Sequence, residues 1–124
     1  MVGSDAILLG GSPHPRTYGT YPRFLQRWVR ERGTVPLEGM VRRMSGMPAA
    51  RFGLVDRGIL MPGMAADLVV FDPQTVTDNA TFEDPRQMPT GIDHVMVNGT
   101  FVVDGGRHTG ATPGRGLRRG RPAA

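Results

Sequence analysis

Ten residues constrain this chain more than any other stretch. HVMVNGTFVV, residues 94 to 103, sets two β-rich runs around Asn98-Gly99, and both turn residues tolerate the positive φ that a type I′ turn requires. The segment must fold back on itself as an antiparallel hairpin, and Asp104-Gly105-Gly106 closes its second arm. Upstream, strand character starts at Ile59-Leu60, turns at Pro62-Gly63, and continues in DLVVFD at 67 to 72, which reads as a buried strand. Residues 73 to 92 are polar and proline-marked, an ordered connection rather than an element.

The first half follows a different period. Thr20 can cap a helix over about 21 to 32 with Pro22 in its first turn, its apolar residues Phe24, Leu25, Trp28 and Val29 recurring opposite Arg23, Arg27, Arg30 and Glu31 until Gly33 ends it. After Pro36, the residues Leu37, Met40, Val41 and Met44 form one apolar stripe of a second helix, stopped by Gly46. Pro48 to Phe52 makes a short third helix ended by Gly53. Before all of these, Val2 marks a short first strand, and a glycine- and proline-rich loop through Gly10, Gly11, Pro13 and Pro15 follows it.

Charge excludes more than it suggests. The net charge of +4 invites a nucleic-acid reading, yet residues 1 to 114 hold 11 Arg against 11 Asp plus Glu, and the excess comes from Arg115, Arg118, Arg119 and Arg121. The body therefore lacks the basic face that phosphate binding needs. All 15 basic residues are Arg, which fits coding bias in a GC-rich genome. From about Thr112 the chain is Gly, Pro, Arg and Ala without apolar period, an expected disordered tail. Absent cysteines exclude disulfides, Cys-ligated zinc and thiol catalysis, and make a cytoplasmic location the default. No apolar run approaches the roughly 20 residues that span a bilayer, so neither a membrane nor nucleic acid is an expected partner.

Few residues can carry chemistry. A carboxylate just past a short strand and beside a glycine-rich loop, as Asp5 is, occupies the place where a parallel α/β barrel sets its catalytic groups. By spacing alone it reads rather as a loop or cap residue beside Ser4. Arg16 could grip a carboxylate with two parallel hydrogen bonds, and Pro13 and Pro15 hold His14 and Arg16 in an extended loop. His14, His94 and His108 show no metal-ligand spacing, and the latter two read as structural or solvent-facing.

Six segments together match a known pattern: SD at 4 and 5, HPRTYGTYPR at 14 to 23, MSGMPAARFGL at 44 to 54, RGILMPGMAADLVVFDP at 57 to 73, TFEDPRQMPTGI at 81 to 92 and VNGTFVVDGGRHTGATPGR at 97 to 115. In these the chain resembles the C-terminal portion of the N-acyl-D-amino-acid deacylases, or D-aminoacylases, of the metal-dependent amidohydrolase superfamily. PGMAADLVVFD is shared by many amidohydrolases, whereas HPRTYGTYPR with TFEDPRQMPTGI points to the deacylase branch.

The resemblance implies an α/β fold, namely a (β/α)8 (TIM) barrel with zinc at its mouth and a small β-sandwich beside it. Residues 1–54 would then be the end of the barrel (eighth strand, loop and helices), 55–111 the C-terminal part of the sandwich and 112–124 the tail. It implies that Asp5 is the catalytic base beside a zinc-bound water, that Arg16 binds the α-carboxylate of an N-acyl-D-amino acid, and that His14 supports the loop. Where the family shows Ser-Asp-Gly, this chain has Ser4-Asp5-Ala6, so a positive φ after the aspartate would fall on an alanine. The zinc ligands of the family are absent here.

A barrel takes about 250 residues, and 124 cannot hold one. The expectation is a C-terminal fragment, from a truncated or frameshifted gene or an internal start, inactive alone and missing an N-terminal barrel half as its partner. Val2, Trp28, Leu37, Met40 and the edges of DLVVFD would then be faces shaped for absent neighbours. Rival readings are a fragment of a hydantoinase- or dihydroorotase-like cyclic amidase, and a non-catalytic module docking on a separate barrel fragment.

Overall fold

The computed structural model describes residues 1–7 and 11–122, and its contacts form two units, each discontinuous in sequence. Residues 2–40 and 72–91 make one; residues 41–71 and 92–124, with Met1, make the other. Gly10 and the last two residues of the tail lie outside the described residues.

The first unit is built on α1 (Arg16–Arg23), which runs directly into a π-helical segment, Phe24–Glu31. The helix thus starts five residues earlier than the Thr20 cap implied, because Pro15 already has helical dihedrals and the His14 ring caps the first turn. Thr20 instead turns its hydroxyl back on the Arg16 carbonyl at 2.6 Å. Pro22, inside α1, has no N–H to give the preceding turn, and the wider π register begins two residues later. That register closes with the Arg32 N–H on the Arg27 carbonyl, and Gly33 at φ +60 lets the chain leave.

Residues 72–91 fold back along this helix. Arg30 donates to the Val76 carbonyl at 2.6 Å and to Thr77 Oγ1 at 3.2 Å, while Gln26 accepts the Asp78 N–H at 3.0 Å. Thr77 and Thr90 pair as an isolated bridge that closes the loop, so the connection is ordered as expected. Val76 is fully buried at its base.

Beyond Pro36, α2 (Leu37–Met44) and α3 (Gly46–Phe52) follow the expected stripe and stop, with Gly53 left-handed at φ +66. Gly46 opens α3 as well as following α2. Met40, expected as a face awaiting a neighbour, is only 2% exposed.

The second unit carries an antiparallel sheet in sequential order: β1 (Leu68–Phe71), β2 (Ile92–Val97), β3 (Thr100–Asp104) and β4 (Arg107–His108). Asn98 and Gly99 have φ of +47 and +77, the type I′ turn that the sequence requires. Gly105 and Gly106, at +54 and +75, make a second two-residue turn and so add β4, which places His108 on a strand rather than after the hairpin.

Three expectations are corrected. No strand forms over residues 1–7, since a parallel strand needs a partner for its N–H and C=O groups and none pairs with it among the described residues. Strand β1 is an edge: Val69 and Val70, on opposite faces, are 55% and 52% exposed, so it is not buried. The tail, expected to be disordered, is tied at two points, with Pro113 O accepting from Asn98 Nδ2 at 2.8 Å and the Gly120 N–H donating to Gly53 O at 2.8 Å.

Candidate functional site

Asp5, His14 and Arg16 converge within the helical unit. The Arg16 guanidinium reaches Asp5 through Nη2, 3.0 Å from Oδ2. Arg16 is the first residue of α1, and its own N–H donates to His14 Nδ1 at 3.0 Å. The His14 ring thereby satisfies one of the donors that every helix start leaves open. Phe82 meets that ring edge to face with centroids 5.0 Å apart, so the segment 81–92 braces the loop that carries Arg16. Arg86 adds a 3.3 Å bond to Gly11 O.

Asp5 itself has φ +49, while Ser4 Oγ accepts the N–H of Ala6 at 3.3 Å. The positive φ therefore falls on the aspartate and not on Ala6, where a glycine-to-alanine departure would have placed it. Aspartate tolerates this conformation better than most residues because its short side chain bonds locally. Its side chain is 81% exposed, against 41% for Arg16.

Arg16 is incompletely satisfied. Its Nε is buried and has no partner, and the Thr17 hydroxyl beside it in sequence is in the same state. The Nε–Nη2 edge of a guanidinium presents two parallel donors to a carboxylate. Asp5 occupies only one of them.

The loop from residue 72 onward holds the helix behind this site. Asp78, whose side chain is 4% exposed, pairs with Arg23 Nε at 3.3 Å and accepts the Ala80 N–H at 3.0 Å. It lies against Gly19, where any Cβ would stand 2.0 Å from Asp78 Oδ1. The glycine of HPRTYGTYPR is explained by this close approach.

In the sheet unit, sequence reasoning missed an ionic centre. Arg57, 8% exposed, pairs with Asp56 and Asp67 and donates to Asn98 Oδ1 at 2.9 Å, while Asp67 Oδ1 accepts the Asn98 N–H at 2.8 Å. The hairpin turn is thus anchored from outside, beside a cleft of about 690 Å³ that Arg57 and Asn98 help line. His94 pairs with Asp104 at 2.9 Å and touches Phe101. A hydrophobic groove of about 160 Å³ runs past it, lined by Leu68, Val70, Met96 and Phe101.

No metal centre assembles among the described residues, where no three His, Asp or Glu side chains come together. Asp5 directs an oxygen at Arg16. The described residues do not by themselves fit a metal ion. No helix is long and apolar enough to cross a membrane.

The model of the amidohydrolase family matches residues 1–103. The chain is 50% identical over 96% of its length to the D-aminoacylase of Alcaligenes xylosoxydans xylosoxydans, and 47% identical over 96% to the N-acyl-D-glutamate deacylase of the same organism. It spans about a quarter of each, 25% and 24%. A crystal structure of D-aminoacylase superposes with a TM-score of 0.92 over 96% of this chain and 25% of that one, at 50% identity. The N-acyl-D-glutamate deacylase of Bordetella bronchiseptica, bound to zinc and a phosphonate mimic of the tetrahedral intermediate, superposes at 0.81 over 82% of this chain and 22% of that one, at 49% identity.

Proposed function

The chain belongs to the amidohydrolase family, and from that premise we propose that it supplies the C-terminal part of a zinc-dependent N-acyl-D-amino-acid deacylase, which hydrolyses the amide to a D-amino acid and a carboxylate. In this reading residues 1–54 complete a (β/α)8 barrel, 55–111 complete the adjoining β-sandwich, and the chain alone does not turn over substrate. The observation that carries it is the convergence of Asp5 and Arg16, 3.0 Å apart.

Those two residues divide the work. Arg16 binds the α-carboxylate of the substrate and so fixes the scissile amide relative to Asp5. The Asp5 carboxylate takes a proton from the attacking water as its oxygen bonds to the carbonyl carbon. When the tetrahedral intermediate collapses and the C–N bond breaks, Asp5 returns that proton to the leaving nitrogen. One group serves as base and then acid, and a positioned group of this kind contributes about 10²- to 10⁴-fold. His14 and Phe82 act only through Arg16, by holding the first turn of α1. Zinc, which the Bordetella relative binds, would need its ligands from outside this chain, and none of these proton transfers is assigned to it.

The test is a chimera in which this chain replaces the matching quarter of the Alcaligenes D-aminoacylase. Zinc-dependent release of D-amino acid by the chimera, with none from the 124-residue chain alone, is the expected result. A folded chimera that binds zinc yet releases nothing contradicts the assignment, and so does turnover by the chain alone.

A further inference from the structure

The hairpin turn Asn98-Gly99 pairs two residues whose chemistry is coupled. Glycine carries no Cβ, so its nitrogen is open to the side chain of the asparagine before it, and Gly99 has nothing within 4 Å of where a Cβ would lie. Asparagine is a labile residue, and this setting favours its cyclisation. The Gly99 nitrogen gives up its proton and bonds to the Asn98 side-chain carbonyl carbon, while the C–NH2 bond breaks and the amide nitrogen leaves as ammonia. Water then opens the cyclic imide to aspartate or isoaspartate.

We propose that Asn98 is a site of this deamidation, and that conversion of its amide to a carboxylate unclasps the C-terminal tail from the sheet unit. The site involves neither Asp5 nor Arg16. Both ends of the Asn98 amide are in use: Oδ1 accepts from Arg57 Nη2 at 2.9 Å, and Nδ2 donates to Pro113 O at 2.8 Å. Only the second bond is lost on conversion, because a carboxylate accepts from Arg57 but has no N–H for Pro113. Two acceptor oxygens then face each other. The new charge also stands beside Asp67, whose Oδ1 accepts the Asn98 N–H at 2.8 Å and which shares Arg57 with it.

The tail has a second tie, the Gly120 N–H on Gly53 O at 2.8 Å. Two ties on one short segment support each other, since closing the first leaves the second less chain entropy to lose. Residues 114–120 are exposed, so little burial compensates for a lost tie. Arg115 and Pro122 help line the cleft of about 690 Å³ beside Asn98, and release of the tail opens that side of it.

The native turn restrains the reaction. Gly99 N–H donates to Ala66 O at 3.0 Å, and the amide is held at both ends, so cyclisation waits on the opening of these bonds. Asn98 is half-buried and Gly99 exposed, which leaves water its access. The switch is slow and one-way.

Peptide mapping and hydrogen exchange on the full chain test both halves. The chain would be aged in mildly alkaline buffer, where the attacking nitrogen loses its proton more readily, and digested for mass spectrometry. Acid is expected at residue 98 well before Asn79, which also donates through Nδ2, to Met88 O at 2.9 Å, but precedes Ala80. Exchange at the Gly120 N–H is expected to be about two- to tenfold faster in Asn98→Asp and Asn98→Gly, the range of one hydrogen bond. Val95 and Val103, paired across the hairpin, should keep their native protection. Asp and Gly both accept the positive φ of residue 98, and the uncharged Gly variant decides the question if the aspartate disturbs the hairpin. Conversion of Asn79 without acid at residue 98 overturns the modification. Native-level exchange at Gly120, in a variant that keeps Val95 and Val103 protected, overturns the release.

Discussion

The Asp78 carboxylate fills the space where Gly19 would carry a Cβ, its Oδ1 standing 2.0 Å from that point. In an ordinary helix Gly→Ala is stabilising, by about 1 kcal/mol. Here the sign should reverse. Gly19→Ala must push Asp78 off α1 and break its pairing with Arg23 and the Ala80 N–H, at a cost of about 1–3 kcal/mol. A shift of the urea midpoint to lower concentration checks it, and a midpoint that rises would show that Asp78 can move away freely.

Gly91 offers the same comparison for backbone. At φ +76, its Cβ would lie 2.5 Å from the Val76 nitrogen, whereas Gly63 at φ +86 has nothing within 4 Å. Gly63→Ala should cost about 1 kcal/mol, the conformational strain alone. Gly91→Ala should cost at least about 2 kcal/mol more, read as the difference between the two denaturation midpoints. Equal costs would mean that the 72–91 loop yields around residue 91.

Arg57 should be the most sensitive charge in the sheet unit. Truncation to Ala takes the cation from Asp67 and frees Asn98 from one side. Breaking one partner of a largely buried pair costs about 3–5 kcal/mol, reduced here to about 2–4 because Asp67 is 31% exposed. Hydrogen exchange at the Asn98-Gly99 turn should rise in the same variant. Protection that stays at the native level would assign the turn's stability to its own dihedrals.

His14→Ala removes the acceptor of the Arg16 N–H. Loss of a cap costs about 0.5–2 kcal/mol, and amide exchange should quicken at Arg16 and Thr17 before it does in Leu37–Met44. Phe82→Ala should have a smaller effect of the same kind, because it touches the ring and not the bond. Uniform exchange along both helices would contradict the capping role.

What could be read from the sequence was local. Asn98-Gly99, Gly53 and the 37–44 stripe state their structure in adjacent residues, and each is found where its pattern puts it. Strand β4 escaped notice because two residues carry no periodicity. The start of α1 did so because its cap is a histidine ring, which is outside the usual set of Ser, Thr, Asp and Asn. Burial of Asp78 against Gly19 and the anchoring of Asn98 by Arg57 join residues 59 and 41 apart by their numbering, and no pattern in one sequence encodes such a meeting. Asp5 and Arg16 were candidates by position, and the resemblance gave them roles. Their approach to 3.0 Å, the left-handed backbone at Asp5 and the unfilled Nε of Arg16 came only with coordinates.

The most direct measurement of the central claim is steady-state hydrolysis of an N-acetyl-D-amino acid by the zinc-loaded chimera with and without Asp5→Asn. Asparagine keeps the shape and the positive φ of residue 5 but can neither take the proton from water nor return it to nitrogen. The expected result is a kcat at least about 100-fold lower with zinc content and fold unchanged. A kcat within a fewfold of the unsubstituted chimera would contradict the role assigned to Asp5.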